Sequence, residues 1–262
     1  MTTRPSRPEM TESNVSSGAV TDTAPLLQIE GACARIILNR PGQHNRIDPG
    51  DVAVLHDHLD AAQADPAVRT VVFSGNGPKT FSSGYTLQAI RATMTERQFE
   101  GLLDRIEALP LPTVAAIQGG VYGGATDLAL CCDLRIGVTT SRMFMPAAKF
   151  GLHYYPGGMR RYVERLGLTA ATRLFLTADT LHADEMLRIG FLSQCVAPET
   201  LEPTVQHLVS LFAANEPQAV AAMKRSLAEL ARASADTAPI ERRYLDSLQS
   251  DALAQRLKAL LG

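Results

Sequence analysis

The stretch Ile117-Gln-Gly-Gly-Val-Tyr-Gly-Gly-Ala-Thr-Asp-Leu-Ala-Leu-Cys-Cys-Asp133 joins an apolar strand to an apolar helix through two pairs of glycines. The residue types of Thr113–Ile117 predict a buried strand, which Gly119-Gly120 ends. Gly123-Gly124 then opens a predicted helix through Ala125–Cys132. Glycine lets a backbone approach a ligand closely, and the first N–H groups of a helix have no partner within it. The stretch therefore predicts a backbone anion site at a strand-to-helix turn.

On either side of this stretch, short apolar runs alternate with longer amphipathic ones. The runs predict strands at 26–30, 34–38, 70–73 and 134–138, and helices at 52–64 and 99–109. From about Thr169 onward the patterns are helical, with breaks near Gly190, Pro203 and Pro217. Strands alternating with helices predict an α/β fold with a buried sheet. We expect a disordered leader at 1–24, a β/α core at 25–168 and a helical C-terminal region at 169–262.

The composition excludes several classes of function. The chain has 262 residues and a formal net charge of -2, which gives no reason to expect nucleic acid or an anionic membrane as a partner. No apolar run approaches the ~20 residues that a membrane span needs. Four scattered cysteines indicate reduced thiols in a cytoplasmic protein. The sequence has no HExxH motif or other convincing metal site, and no GxSxG nucleophile motif.

Two further segments carry a family pattern. Asn39-Arg-Pro-Gly-Gln-His-Asn-Arg46 follows one predicted strand, and Lys79-Thr-Phe-Ser-Ser-Gly-Tyr-Thr-Leu87 follows the next. Together with the glycine-rich stretch they resemble, in order and separation, the crotonase superfamily, which is the enoyl-CoA hydratase/isomerase family. The resemblance covers the chain from about residue 26 and includes Pro198-Glu-Thr-Leu201. It implies a crotonase spiral of repeated ββα units, whose C-terminal helices pack on neighbouring subunits in a homotrimer or homohexamer.

The resemblance also implies a reaction class. Members of the family bind an acyl-CoA thioester and stabilise its enolate, and the two backbone donors would be the N–H groups of Tyr85 and Gly124. Preorganised donors of this kind supply ~3–4 kcal/mol each. Coenzyme A is part of the substrate, so no separate cofactor is expected. A thioester on an acyl carrier protein is an alternative substrate.

Several other residues are candidates for substrate contact by the same resemblance. Gln43 and His44 would meet the adenine end of CoA. Arg46 is a candidate for the CoA phosphates or a solvated loop arginine. The Tyr85 ring stands where the family usually has a small residue, and we expect it to reshape the acyl pocket. The remaining candidates are Ser83, Gly84, Leu87, Gly120, Gly123, Ala147 and His153. Three basic residues are interpreted as surface or interface charges: Lys149, Arg160 and Arg161.

The catalytic carboxylates depart from the family pattern. Hydratases of the family use two Glu residues, whose positions here are Asp127 and Ala147. Alanine cannot transfer a proton, so hydration by two carboxylates is not expected. Asp127 is one methylene shorter than Glu. It is either a catalytic carboxylate or a residue that the helix dipole favours in the first turn.

A third catalytic position departs as well. Isomerases of the family often carry an acidic residue at the position of Tyr155, within Gly151-Leu-His-Tyr-Tyr-Pro-Gly-Gly158. This region, the stretch Val121–Ala125 and the absence of Glu at position 147 are instead similar to methylmalonyl-CoA decarboxylases. Decarboxylation forms the enolate without a base. It needs a proton donor, for which Tyr154, His153 and Asp127 are candidates, unless the two tyrosines only line the pocket.

The leading hypothesis is thus an acyl-CoA enzyme of lyase or decarboxylase type. A hydratase or isomerase that uses Asp127 is one alternative. A noncatalytic acyl-CoA-binding protein is another, because Met145–Gly151 is similar to the corresponding stretch of such members.

Overall fold

The computed structural model describes residues 22–93, 97–231, 241–242, 245–246 and 248–261, so most of the expected leader lies outside the described residues. The strands are β1 (Leu26–Glu30), β2 (Cys33–Leu38), β3 (Thr70–Gly75), β4 (Thr80–Ser82), β5 (Thr113–Ile117), β6 (Gly120–Tyr122), β7 (Leu134–Val138), β8 (Arg142–Phe144), β9 (Leu181–His182) and β10 (Gln194–Val196). The helices are α1 (Pro49–Ala64), α2 (Ile90–Thr93), α3 (Gln98–Ala108), α4 (Gly124–Cys131), α5 (Pro156–Thr177), α6 (Ala183–Arg188), α7 (Leu201–Ala214), α8 (Pro217–Ala231) and α9 (Asp251–Leu261). Short 3-10 helices lie at Pro41–Gln43, Leu87–Ala89, Ala147–Phe150 and Pro198–Thr200.

The strands form two sheets that the chain visits in alternation. The larger sheet has the order β1-β2-β3-β5-β7-β10, and the smaller has the order β4-β6-β8-β9. The strands β3, β5 and β7 are parallel neighbours, and each is followed along the chain by a strand of the smaller sheet. Helices follow each such pair of strands. These repeated ββα units confirm the predicted α/β spiral.

The larger sheet is buried on both faces. Val71 and Phe73 of β3 belong to the main core, which also contains Leu55 of α1. Val72, between them, points to the other face and joins a second core that includes Val205 of α7. Side chains alternate across a strand, so a run of apolar residues is required wherever both faces are covered.

The smaller sheet brings three loops to one edge. Its strands β4, β6 and β8 are parallel, with Ser82 opposite Val121 and Tyr122 opposite Phe144. The carboxyl ends of these strands therefore lie side by side, which is where α/β proteins commonly bind ligands. The loops that leave these ends, 83–86, 123 and 145–146, lie at this edge.

Gly84 lies where the loop after β4 meets the start of α4. Its φ is +86°, and a Cβ atom there would lie 2.6 Å from the Gly124 nitrogen and 2.8 Å from the Tyr122 carbonyl oxygen. Both contacts are with backbone atoms, which cannot swing aside as the end of a side chain can. The close approach of the two loops thus requires glycine at this position.

The C-terminal part departs from the expected pattern. The prediction of helices throughout from Thr169 is wrong at β9 and β10, which pair with β8 and β7. These strands have two and three residues, too few to show a period of two in the sequence. The helix α5 is kinked at Gly167, whose φ of 77° and ψ of 160° are not helical, directly before the expected boundary between residues 168 and 169.

We expect Gly84→Ala to lower the free energy of unfolding more than Gly31→Ala. Both glycines have positive φ, but a Cβ on Gly31 would meet nothing within 4 Å. The control should lose ~1–2 kcal/mol from backbone strain alone, whereas Gly84→Ala should lose a further ~1–3 kcal/mol from overpacking. Urea denaturation of the two variants measures the difference, and equal losses would contradict the packing argument.

Candidate active site

The helix α4 begins directly after a residue whose conformation suits only glycine. Gly123 has φ 53° and ψ -128°, a combination that residues with a Cβ rarely adopt. Its N–H donates to the Phe144 carbonyl at 3.0 Å, and its carbonyl accepts from the Thr126 N–H at 3.0 Å. These bonds fix the direction of the N-terminus of α4, where the first N–H groups lack acceptors within the helix.

The backbone of Tyr85 lies against this helix start. A Cβ atom on Gly124 would be 3.3 Å from the Tyr85 nitrogen, so the two segments are in close contact. Tyr85 and Gly124 both line one cavity. The two backbone nitrogens thus lie close together beside the cavity, and the one that begins α4 is at the positive end of a helix dipole.

The cavity has a volume of about 210 Å³ and a largely apolar wall. Leu253 and Leu257 of α9 are buried in the same core as several of the lining residues, such as Ile90. Within the part of the chain that the structure describes, no residue of the lining carries a carboxylate, a guanidinium or an ammonium group. The lining consists of Ser83, Tyr85, Leu87, Ile90, Tyr122, Gly123, Gly124, Phe144, Met145, Pro146, Ala147, Phe150, Leu152 and Tyr154.

An open groove adjoins the cavity. The two share Ser83, Tyr122 and Phe144, and the groove has a volume of about 760 Å³. In contrast to the cavity, the groove has basic side chains in its wall, including Lys79 and Arg142. The Arg142 Nε donates to the Tyr122 hydroxyl at 2.8 Å, so this arginine is held at the junction between the two spaces. A ligand with an apolar end and an anionic end would fit this arrangement.

Asp127 lies in the first turn of α4, behind the cavity wall rather than in it. Its side chain is completely buried and paired with the equally buried Arg161, whose Nε donates to Oδ1 at 2.8 Å. The Tyr154 hydroxyl donates to Oδ2 at 3.1 Å, and the Tyr155 hydroxyl donates to the same oxygen. Arg161 Nη2 also reaches Oδ2, at 3.3 Å. Four donors thus hold this carboxylate in place, as a buried charge requires.

Arg161 links three helices. Besides Asp127 of α4, its guanidinium on α5 contacts Asp104 at 2.8 Å and Glu107 at 3.4 Å, both on α3. Burial alone would lower the pKa of Arg161, but Asp127, through its charge and hydrogen bond, acts together with other nearby groups to hold the pKa well above its usual value. The interpretation of Arg161 as a surface charge is wrong, because its side chain is fully buried. Its neighbour Arg160 is partly exposed and pairs with Glu107 and Glu164.

Tyr154 is the member of this network that reaches the cavity. Burial and the nearby charge of Asp127 raise its pKa well above the usual value for tyrosine. The same causes, in the same order, raise the pKa of Tyr155, although Arg161 opposes them. Both phenols therefore remain neutral hydroxyls at physiological pH.

Some of the predicted site residues lie together at the cavity or the groove, and others lie elsewhere. His44 and Gly120 line the groove, and Gly84 packs against Gly124 without appearing in the cavity wall. Gln43 is exposed and donates to Asp22 at 3.1 Å, whereas Arg46 forms two hydrogen bonds with Asp48, at 2.8 and 3.0 Å. His153 lies outside the lining, with its Nδ1 2.8 Å from the Tyr154 carbonyl oxygen. Seven predicted residues line the cavity: Ser83, Tyr85, Leu87, Gly123, Gly124, Ala147 and Tyr154.

Sequence reasoning missed the partner of Asp127 and much of the cavity wall. A signal for the partner existed, because Asp127 lies among apolar residues on a short helix and a buried carboxylate needs a cation. The separation of 34 residues to Arg161 hides the pair from any local motif. The wall residues that were missed are Ile90, Tyr122, Phe144, Met145, Pro146, Phe150 and Leu152.

The spiral fold is that of a crotonase-type protein, and comparisons with known proteins agree. The family model for enoyl-CoA hydratase/isomerase matches residues 28–258. The chain therefore belongs to the enoyl-CoA hydratase/isomerase family, and the expected resemblance to the crotonase superfamily is confirmed.

Similar proteins carry several names within this family. The crotonyl-CoA hydratase of Syntrophomonas wolfei is 31% identical over 78% of this chain and 81% of its own length. The structure of carnitinyl-CoA hydratase from Mycobacterium avium has a TM-score of 0.79 and 30% identity, covering 92% of this chain and 96% of that one. A methylmalonyl-CoA decarboxylase structure has a TM-score of 0.84, with the same coverage of both chains. Its identity of 22% shows likeness in fold alone.

We expect Arg161→Met to destabilise the protein strongly. The substitution leaves Asp127 buried without its cation, and removing one partner of a buried pair costs ~3–5 kcal/mol. The matched control is Arg173→Met, which removes an exposed arginine paired with Asp179 and Glu185 and should change stability little. Chemical denaturation measures both, and similar stability for the two variants would show that the buried pair does not hold the helices together.

Proposed function

We propose that this protein binds an acyl-CoA thioester and stabilises its enolate, with lyase or decarboxylase chemistry rather than hydration by two carboxylates. The observation that carries the proposal is the pairing of backbone nitrogens at Tyr85 and Gly124 with a cavity whose described wall holds no carboxylate. Ala147 lines the cavity, and Asp127 is turned away from it into a buried ion pair. The site can stabilise an enolate, but it presents no carboxylate to remove a proton.

Decarboxylation suits such a site because it needs no base to form the enolate. The bond between the α-carbon and a substrate carboxylate breaks, carbon dioxide leaves, and the bonding electron pair moves into the enolate. The thioester oxygen then carries the negative charge, which the two backbone N–H groups stabilise. An apolar wall disfavours the substrate carboxylate and therefore favours its loss. One proton added to the α-carbon completes the reaction.

Tyr154 is the proposed source of that proton. It lines the cavity, and its raised pKa keeps the hydroxyl protonated until the enolate forms. The hydroxyl would turn from Asp127 to the α-carbon and then recover its proton from solvent. The role of Asp127 in this scheme is to position Tyr154 through the hydrogen bond of 3.1 Å.

In this proposal the groove binds the CoA part of the substrate. The acyl group would occupy the apolar cavity, and the chain of CoA would pass Ser83, which the cavity and the groove share. Lys79 and Arg142 would then face the phosphates. A thioester carried on an acyl carrier protein would use the same cavity.

A second candidate is a hydratase or isomerase that uses Asp127. It is favoured by one observation, the hydrogen bond through which the Tyr154 hydroxyl connects Asp127 to the cavity. The names of similar proteins, which include a crotonyl-CoA hydratase, agree with this candidate. Under it, Asp127→Asn would abolish turnover and leave CoA binding intact.

We expect Tyr154→Phe to abolish most of the enolate chemistry. In deuterium oxide, the wild-type protein should release carbon dioxide from malonyl-type thioesters and place deuterium at the α-carbon of the product. Deuterium exchange into saturated or enoyl thioesters needs a base and would favour the second candidate. Mass spectrometry of an acyl-CoA panel measures both outcomes. Loss of the proton donor should lower the rate ~10²-fold or more.

Tyr155→Phe is the matched control for this experiment. Its hydroxyl donates to the same carboxylate oxygen, but Tyr155 does not line the cavity. The control should retain most of the wild-type rate, and equal losses in the two variants would contradict a direct role for Tyr154. Unchanged masses with every thioester, despite binding of CoA thioesters, would indicate the noncatalytic binder instead.

We also propose that the protein assembles as a homotrimer or homohexamer. An apolar stripe on α8 supports a contact between subunits, because Met223, Leu227 and Leu230 are spaced by four and three residues and are 58%, 68% and 84% exposed.

The proposed location is the cytoplasm. Within the described residues, no helix has the length and apolar character to cross a membrane.

We expect Leu227→Glu to dissociate the assembly without unfolding the subunit. The side chain is mostly exposed in the isolated chain, so the new charge would be buried only in a contact between subunits. Light scattering coupled to size-exclusion chromatography should give three or six subunits for the wild type and one for the variant. A wild-type mass of one subunit would contradict the assembly, and an assembled variant would contradict this stripe as the contact.

A further inference from the structure

We infer that the acyl group recognised by this protein ends in a six-membered ring, preferably an aromatic one. The inference rests on the proposed function, because it takes the apolar cavity as the acyl pocket. It adds the class of substrate, which the backbone anion site leaves open.

A large share of the aromatic residues of the chain line this cavity. The whole chain has six tyrosines and eight phenylalanines. Five of these fourteen residues line this one cavity: Tyr85, Tyr122, Phe144, Phe150 and Tyr154. A pocket for a linear alkyl chain needs only aliphatic walls, whereas aromatic side chains offer stacked and edge-to-face contacts to another ring.

Several of the lining rings pack against a second aromatic ring. Tyr85 packs on Phe99 with ring centroids 4.8 Å apart, and Tyr122 stacks on Phe144 at 4.6 Å. Tyr154 contacts Tyr155, with centroids 4.5 Å apart. These contacts limit the rotation of the lining rings, so the pocket keeps its shape before a ligand enters.

The volume of the cavity fits one ring and a short connection. A dry protein cavity of ~150 Å³ is known to bind benzene. The present cavity of about 210 Å³ leaves additional room for the few carbons that join the ring to the thioester. The described lining provides no charged group for a polar end of the acyl chain, so the ring would carry no charge.

The test compares three saturated thioesters of nine acyl carbons: 3-phenylpropionyl-CoA, 3-cyclohexylpropionyl-CoA and nonanoyl-CoA. Isothermal titration calorimetry measures their dissociation constants with the full chain. We expect 3-phenylpropionyl-CoA to bind at least about 5-fold more tightly than nonanoyl-CoA. The cyclohexyl compound should fall between them, because it has the shape of a ring without its π-system.

Two variants test whether the aromatic side chains of the cavity wall cause the preference for a ring. Phe150→Leu and Tyr85→Leu keep an apolar wall and remove one ring each, so each should reduce the ratio between the phenyl and nonanoyl compounds. Val163→Leu, at an exposed position on α5, is the control and should leave the ratio unchanged. Equal binding of the three thioesters by the wild type, or tighter binding of nonanoyl-CoA, would overturn the inference.

Release of carbon dioxide from the malonyl-type counterparts of the same three compounds, which carry a carboxylate on the α-carbon, separates this inference from the proposed function. Release without a preference for the ring would overturn the inference of a ring and support the enolate site. Tight, ring-selective binding without release would support the ring and contradict decarboxylation. Absence of both binding and release would overturn both.

Discussion

The parallel pairing of the three short strands β4, β6 and β8 is the constraint on which the site depends. Each strand has only three residues, yet the pairing fixes where each following loop begins. Because the strands are parallel and adjacent, Tyr85, Gly124 and Ala147 come from three turns of the spiral to one cavity. The larger sheet and its two cores hold successive turns of the spiral in place. The smaller sheet then brings the loops of three turns to one edge, where they form the cavity.

The buried pair of Asp127 and Arg161 performs a different task from the backbone donors. It anchors α4, α3 and α5 to one another, and it places a neutral phenol rather than a carboxylate in the cavity wall. A buried ion pair often adds little net stability, because desolvation offsets the attraction. In the proposed mechanism its contribution is to position Tyr154, whose hydroxyl donates to the Asp127 carboxylate.

The sequence predicted the parts of the site that local motifs encode. Gly84 is required by close backbone contacts and Gly123 by its positive φ, and a Cβ on Gly124 would press on the Phe99 ring. These three glycines lie within the motifs that the family resemblance identifies. Ala147 was found because it occupies a family position, and the structure places it in the cavity wall. The contacts of Arg46 and Arg161 were not predicted, since a charged residue reveals its partner only after folding. The strands β9 and β10 were missed because two or three residues are too few to show the period of two that identifies a strand.

The Asp127–Arg161 pair also bears on how this sequence can change over time. Loss of either residue alone leaves the other charge buried without its strongest partner, so the single-substitution intermediates are unfavourable in both directions. Substitutions at the two positions should therefore be strongly epistatic, although 34 residues separate them. Lineages with this tyrosine-lined cavity would therefore keep the pair together or exchange both members.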